Sequence, residues 1–123
     1  MLIMKIGAAF FLFLALTAPA VAQQPAVHAG PVTYGPGHKL CSDWSAAETK
    51  PDGSEYMANR FFVAGVMSAY NIFVSPPGFD IGRGQTPDAM KQFMHDRCAS
   101  HPAETIGSAA ATYIEMLKTL QRK

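Results

Sequence analysis

Cys41 and Cys98 are the only cysteines of the chain, and the second lies within His95-Asp96-Arg97-Cys98-Ala99-Ser100-His101, an H-x-x-C-x-x-H pattern. Imidazole and thiolate are good ligands for zinc and copper. The spacing argues against a site: on one helix His95 and Cys98 share a face while His101 points elsewhere, and an oxidised Cys98 has no thiolate to give. Met90, Met94 and His95 would suit Cu(I), but a methionine pair at i, i+4 reads more simply as core. Neither a metal nor a cofactor is expected. His38, Ser42 and Asp43 are the residue types of a hydrolytic triad, without the G-x-S-x-G elbow that would place a nucleophile. H-E-x-x-H and the P-loop are absent from the sequence, and Gly82-Arg83-Gly84 is too short to cradle a phosphate. Asp80 with Asp88, and Asp96 with Glu104, read as loop and cap carboxylates. The expectation is a protein that is not an enzyme, with no catalytic residue.

The cysteines instead read as one disulfide. Lys5 supplies a positive n-region, Ile6 to Leu16 is an unbroken apolar run, and Ala20-Val21-Ala22 is a small-x-small cleavage site, so residues 1–22 are expected to be a signal peptide cut after Ala22. The run of about eleven residues falls short of the roughly 20 a spanning helix needs, so no stable membrane insertion is expected after cleavage. Two cysteines in an exported chain leave one intramolecular pairing, Cys41 to Cys98. A redox dithiol would have C-x-x-C spacing, which is absent. The expected address is the periplasm, with secretion as the alternative.

About 100 residues remain, enough for one domain whose core alone leaves little stability in reserve. Lys5 aside, nine cations face nine carboxylates. A balance this even does not advertise nucleic acid or an anionic membrane as a partner.

Residues 23–36, with Pro25, Gly30, Pro31, Gly35 and Pro36, are too poor in large apolar groups to offset ordering entropy and are expected to form a flexible leader. A helical domain over 37–123 follows. Leu40, Cys41, Trp44 and Ala47 recur at helical spacing, and Pro51-Asp52-Gly53 breaks that helix. Asp52 and Glu55 have capping-box spacing and open a second helix running to about Phe73. Phe62, Val66, Ala69, Tyr70 and Phe73 form one stripe and Met57, Phe61, Ala64 and Met67 another, which predicts a central helix buried around most of its circumference. Gly65 in mid-helix costs about 1 kcal/mol relative to alanine, so a close helix crossing is expected there. Thr86-Pro87-Asp88 opens a third helix with Met90, Phe93, Met94 and Cys98 inward. After His101-Pro102 a fourth helix carries Ile106, Ala109, Ala110, Tyr113, Leu117 and Leu120 inward. The fold class expected is all-α: a small four-helix domain with one disulfide.

The order of these pieces resembles the HdeA-like exported helical proteins. The residues that carry the likeness are Leu40-Cys41-Ser42-Asp43-Trp44, the helix Phe62-Val63-Ala64-Gly65-Val66-Met67-Ser68-Ala69-Tyr70-Asn71, and Cys98-Ala99-Ser100-His101-Pro102 before an alanine-rich helix. The similarity is nearest to the Tai-type branch, whose known members are periplasmic immunity proteins of type VI secretion. It implies structural roles for Cys41, Gly65, Cys98 and Pro102, to which the residue pattern adds Trp44. For function it implies either immunity by contact with an effector or, as in HdeA, an acid-stress periplasmic chaperone. The function expected is a non-enzymatic exported protein that binds a protein partner, immunity- or inhibitor-like. Phe79, Asp80 and Arg83 of the glycine-rich loop are its expected contact residues, and a homodimer remains open.

Overall fold

The computed structural model describes residues 33–122; the signal peptide expected over residues 1–22 and residues 23–32 of the expected leader lie outside them. The described residues form a 3-10 helix, Gly35–His38, and four α-helices: α1 Cys41–Glu48, α2 Ser54–Phe73, α3 Pro87–Ser100 and α4 Ile106–Gln121. Gly35 and Pro36, placed in the leader by composition, therefore belong to the first helical turn. Among the described residues there are no strands, only an isolated antiparallel bridge between Leu40 and Thr105.

That bridge solves the problem of starting α1. A helix leaves its first N–H groups without intrahelical partners, and here the turn between α3 and α4 supplies the acceptors. Cys41 N donates to Glu104 O at 2.7 Å and Ser42 N to Pro102 O at 3.0 Å, while Ile106 N returns a bond to Lys39 O at 2.9 Å. Asp43 Oδ2 accepts from Leu40 N at 3.0 Å. The Cys41–Cys98 bond then joins α1 to α3. Leu40, which shares the helical spacing of Cys41 and Trp44, precedes α1 on the bridge and is left half exposed.

The other helix ends follow local chemistry. Thr86 Oγ1 accepts from Ala89 N at 3.1 Å with Pro87 at the first helical position, as its spacing predicts. Thr105 Oγ1 caps α4 through Ser108 N at 3.1 Å. The cap expected at Asp52 is not made; α2 starts one residue later from Gly53, with no side-chain cap.

The central helix is α4, not α2. It packs against α1, α2, α3 and the 3-10 helix, and it buries Ile106, Gly107, Ala109, Ala110, Tyr113, Ile114 and Leu117. Leu120, in its last turn, is exposed. On α2 only Tyr56, Asn59 and Val63 are buried, with Phe62, Val66, Met67 and Tyr70 partly covered. The physical reason is area. A 20-residue helix is apolar around most of its circumference, and the shorter elements around it cover only one side, the row of Tyr56, Asn59 and Val63 with partly buried flanks from both stripes.

The close approach expected at Gly65 is found at Gly107 instead. A Cβ on Gly107 would lie 2.8 Å from Gly37 O and 2.9 Å from Thr33 Cγ2, whereas one on Gly65 would meet nothing within 4 Å. Opposite outcomes are therefore expected from the same substitution. Gly107→Ala should cost roughly 1–3 kcal/mol, because backbone of the 3-10 helix must move off α4. Gly65→Ala should add up to about 1 kcal/mol through helix propensity. Urea denaturation of the two variants checks both signs, and a neutral Gly107→Ala would refute the tight contact.

Candidate binding surface

The outward face of α2 draws on both apolar stripes. Phe61 is 67% exposed, Ile72 71%, Phe73 82% and Val74 63%, and Ala64, Gly65, Ser68 and Ala69 lie exposed between them. Ser68 Oγ donates back to Ala64 O at 3.0 Å, so even its hydroxyl is turned to the helix. No charged residue occurs between Arg60 and Asp80. A contiguous apolar face of this kind, bordered by polar residues, is characteristic of an interaction surface.

At its N-terminal end the face opens into a groove of about 330 Å³ walled by Met57, Phe61, Ala64 and Met67 of α2, Met90 of α3 and Tyr113 of α4. Three elements build it, and the loop before α3 closes one side. That loop is held rather than free. Ile81 is fully buried, its N–H donates to Asn71 Oδ1 at 2.8 Å, and Gln121 Nε2 donates to Ile81 O at 2.8 Å and Asp80 O at 3.0 Å. At the groove, Tyr113 donates its phenol proton to Gln85 Oε1 at 3.2 Å, and burial pushes that phenol's pKa up. Arg60 lines the wall shared with a second, more open cleft of about 590 Å³ that contains Glu48, Tyr56, Lys91 and His95.

In that cleft His95 Nδ1 lies 3.0 Å from Glu48 Oε2. The hydrogen bond that His95 donates to the Glu48 carboxylate, helped by that group's charge, raises the His95 pKa. The contact joins α1 to α3 as an ion pair when His95 is protonated. Across the α3–α4 turn, Arg97 grips Glu104 with Nε–Oε2 at 2.7 Å and Nη2–Oε1 at 3.1 Å. Burial pushes the Glu104 carboxyl up, but the Arg97 hydrogen bonds and charge outweigh it and leave the pKa low. The N–H of Gly82 and then the Asn71 amide hold Asp80 low, and Lys91 does so for Asp88.

These directions bound stability on both sides. A carboxylate with a lowered folded pKa contributes stability that is complete above its unfolded value and is lost as pH falls through the folded one; a histidine with a raised pKa contributes below its unfolded value and loses it as pH rises through the folded one. The melting temperature is expected to fall below the ordinary glutamate value of 4.5 and to fall again, more gently, above the ordinary histidine value of 6.5. Glu104→Gln should flatten the acid limb and Glu48→Gln the alkaline one; melting scans across pH on the three proteins test this.

The remaining residues singled out in the sequence are dispersed. Cys98 is bonded to Cys41, which takes the thiolate out of the histidine-cysteine pattern, His101 Nδ1 sits 3.2 Å from Arg97 O, and Asp43 accepts the Leu40 N–H. Among the described residues no three His, Cys, Asp or Glu side chains are grouped to hold a metal ion. Phe79 is half-buried, and Asp80 and Arg83 are exposed. Asp80 Oδ1 accepts from Asn71 Nδ2 at 2.7 Å and Gly82 N at 2.9 Å, and Arg83 Nη2 donates to Gly78 O at 3.2 Å, so the polar pair shapes its own loop. Trp44 is fully buried, and Pro102 is exposed with its carbonyl on Ser42. Sequence reasoning passed over Arg60 and Asn59. The one available signal was Arg60's position as the last charge before a long uncharged stretch.

Fold and surface together define an all-α domain with one intramolecular disulfide and an uncovered apolar helix face. Among the described residues no helix is long and apolar enough to cross a membrane. No protein-family model, curated protein or solved structure matches the chain.

Proposed function

We propose that this is an exported, non-enzymatic helical protein that works by binding a protein partner through the open face of α2, in the manner of an immunity or inhibitor protein. The observation that carries the reading is the set of exposed apolar side chains Phe61, Ile72, Phe73 and Val74, on and just past the longest helix of a small domain, in a stretch without a charge. Aromatic and aliphatic side chains of this kind are the usual anchors of a contact once water is excluded around them. Export rests on the Lys5, Ile6 to Leu16 and Ala20-Val21-Ala22 signal, and the intramolecular disulfide is consistent with an oxidising compartment. The test is capture from periplasmic extract, followed by reconstitution with the purified partner. Ile72→Lys and Phe73→Lys should each weaken that complex tenfold or more while leaving the melting temperature unchanged. A reconstituted complex indifferent to both substitutions would sink the reading.

A second reading, an acid-stress periplasmic chaperone, is favoured by one observation. The Arg97–Glu104 pair and the Asp80 and Asp88 contacts all depend on carboxylates held ionised, so acid would loosen the α3–α4 turn and the loop before α3 together. Suppression of client aggregation in acid but not at neutral pH would support it; equal inactivity at both would remove it.

A further inference from the structure

We propose that the groove between α2, α3 and α4 is a binding site for an aliphatic carboxylic acid, its chain lying along the methionine wall and its carboxylate on Arg60. The walls dictate the chain. Met57, Met67 and Met90 are flexible, polarizable side chains that mould to an unbranched apolar ligand, and Phe61, Ala64 and Tyr113 complete an almost wholly apolar lining. The volume, about 330 Å³, lies at the lower end of the range for small-molecule sites, so the ligand is compact.

Arg60 dictates the head group. Its guanidinium forms no ion pair among the described residues; it rests over the Tyr56 ring, 5.7 Å from the centroid, with Nη1 3.8 Å from Met57 Sδ. Its Nε is enclosed without an acceptor. Glu48 and Asp52 line the adjoining cleft and Asp88 feels the Arg60 charge, but none of them pairs with the guanidinium, so its charge at the edge of an apolar wall still attracts an incoming anion, and guanidinium pairs well with carboxylate. A second copy of the chain is a poor occupant, because the open α2 face that it would bring carries no carboxylate between Arg60 and Asp80. An aliphatic acid supplies both the apolar body and the charge. Such a ligand needs no protein partner, so its binding is read on the purified chain alone.

The probe is sodium decanoate, kept below its micelle-forming concentration and titrated into protein carrying ¹³C-methyl methionine, with decanol as the uncharged comparison. The methyls of Met57, Met67 and Met90 should shift saturably, while Met94 and Met116, away from the groove, should not. Decanol should bind roughly tenfold more weakly, the contribution of a charged hydrogen bond. Arg60→Gln should erase the difference between the two probes, and Ala64→Phe, which fills the groove from an exposed position, should abolish binding of both. Should Arg60→Gln fail to fold, the two-probe comparison on the native chain and Ala64→Phe still decide the matter. Equal binding of decanoate and decanol, shifts spread to Met94 and Met116, or groove methyls that respond to protein concentration without ligand would each overturn the assignment, the last by showing a second copy in the groove.

Discussion

Replacing Cys41 and Cys98 together by alanine is expected to lower stability by about 4 kcal/mol, because the bond closes a loop with a sequence separation of 57 residues and the unfolded chain regains that freedom when it is cut. For a domain of this size the loss corresponds to a fall in melting temperature of roughly 20 °C, out of a total stability of about 5–15 kcal/mol. The local consequence is sharper than the global one. α1 has eight residues, too few to persist alone, and the disulfide is its covalent tie to α3. Hydrogen exchange should therefore show the α1 amides opening first in the alanine pair, ahead of α2 and α4. A melting temperature within a few degrees of the native protein would mean that the bridge from Leu40 to Thr105 and the backbone bonds to Pro102 and Glu104 hold α1 without the bond.

The parts of this architecture that were legible in the sequence are those set by local chemistry. Thr86-Pro87 starts α3 because a hydroxyl cap and a fixed φ act over four residues, and Pro76-Pro77-Gly78 limits α2 for similarly local reasons. The inward residues of α3 followed from period alone, since Met90, Met94 and Cys98 are its only strongly apolar row. On α2 periodicity failed because most of the circumference is apolar, and the row that is buried, Tyr56, Asn59 and Val63, lies in neither stripe and has a polar residue at its centre. Its amide oxygen and nitrogen are enclosed without hydrogen-bond partners, an arrangement no pattern rule anticipates. Which face of α2 turned inward depends on the elements packed against it, α4, α1 and the 3-10 helix, and no reading of α2 alone could reveal that. The groove was equally hidden, since its walls come from three helices and from a glycine-rich loop whose Ile81 anchor no spacing marks as buried.

Trp44→Ala carries the other large expected effect, a loss of about 3–5 kcal/mol, the range for truncating a fully buried aromatic residue. Trp44→Phe should cost far less, on the order of 1 kcal/mol, because the indole N–H it removes is buried without an acceptor and its loss relieves a desolvation cost. Trp44 and Cys41 lie one turn apart on the same short helix, so the Trp44→Ala and cysteine substitutions should be non-additive: once α1 is released, the second change has less left to break. The effect should also reach the groove. Trp44 meets Tyr56 edge-on, with ring centroids 5.6 Å apart, and Tyr56 carries the guanidinium of Arg60 on its face. Truncating Trp44 removes the support behind that ring, so Arg60 should lose its fixed position while Met67 and Met90 keep theirs. Calorimetric melting gives the stability of both variants, and the decanoate titration reads the second consequence: Trp44→Ala should narrow the gap between decanoate and decanol, and Trp44→Phe should preserve it. If Trp44→Ala leaves that gap intact, the Tyr56 ring is positioned by α2 alone and the path from the disulfide-bound helix to the arginine does not exist.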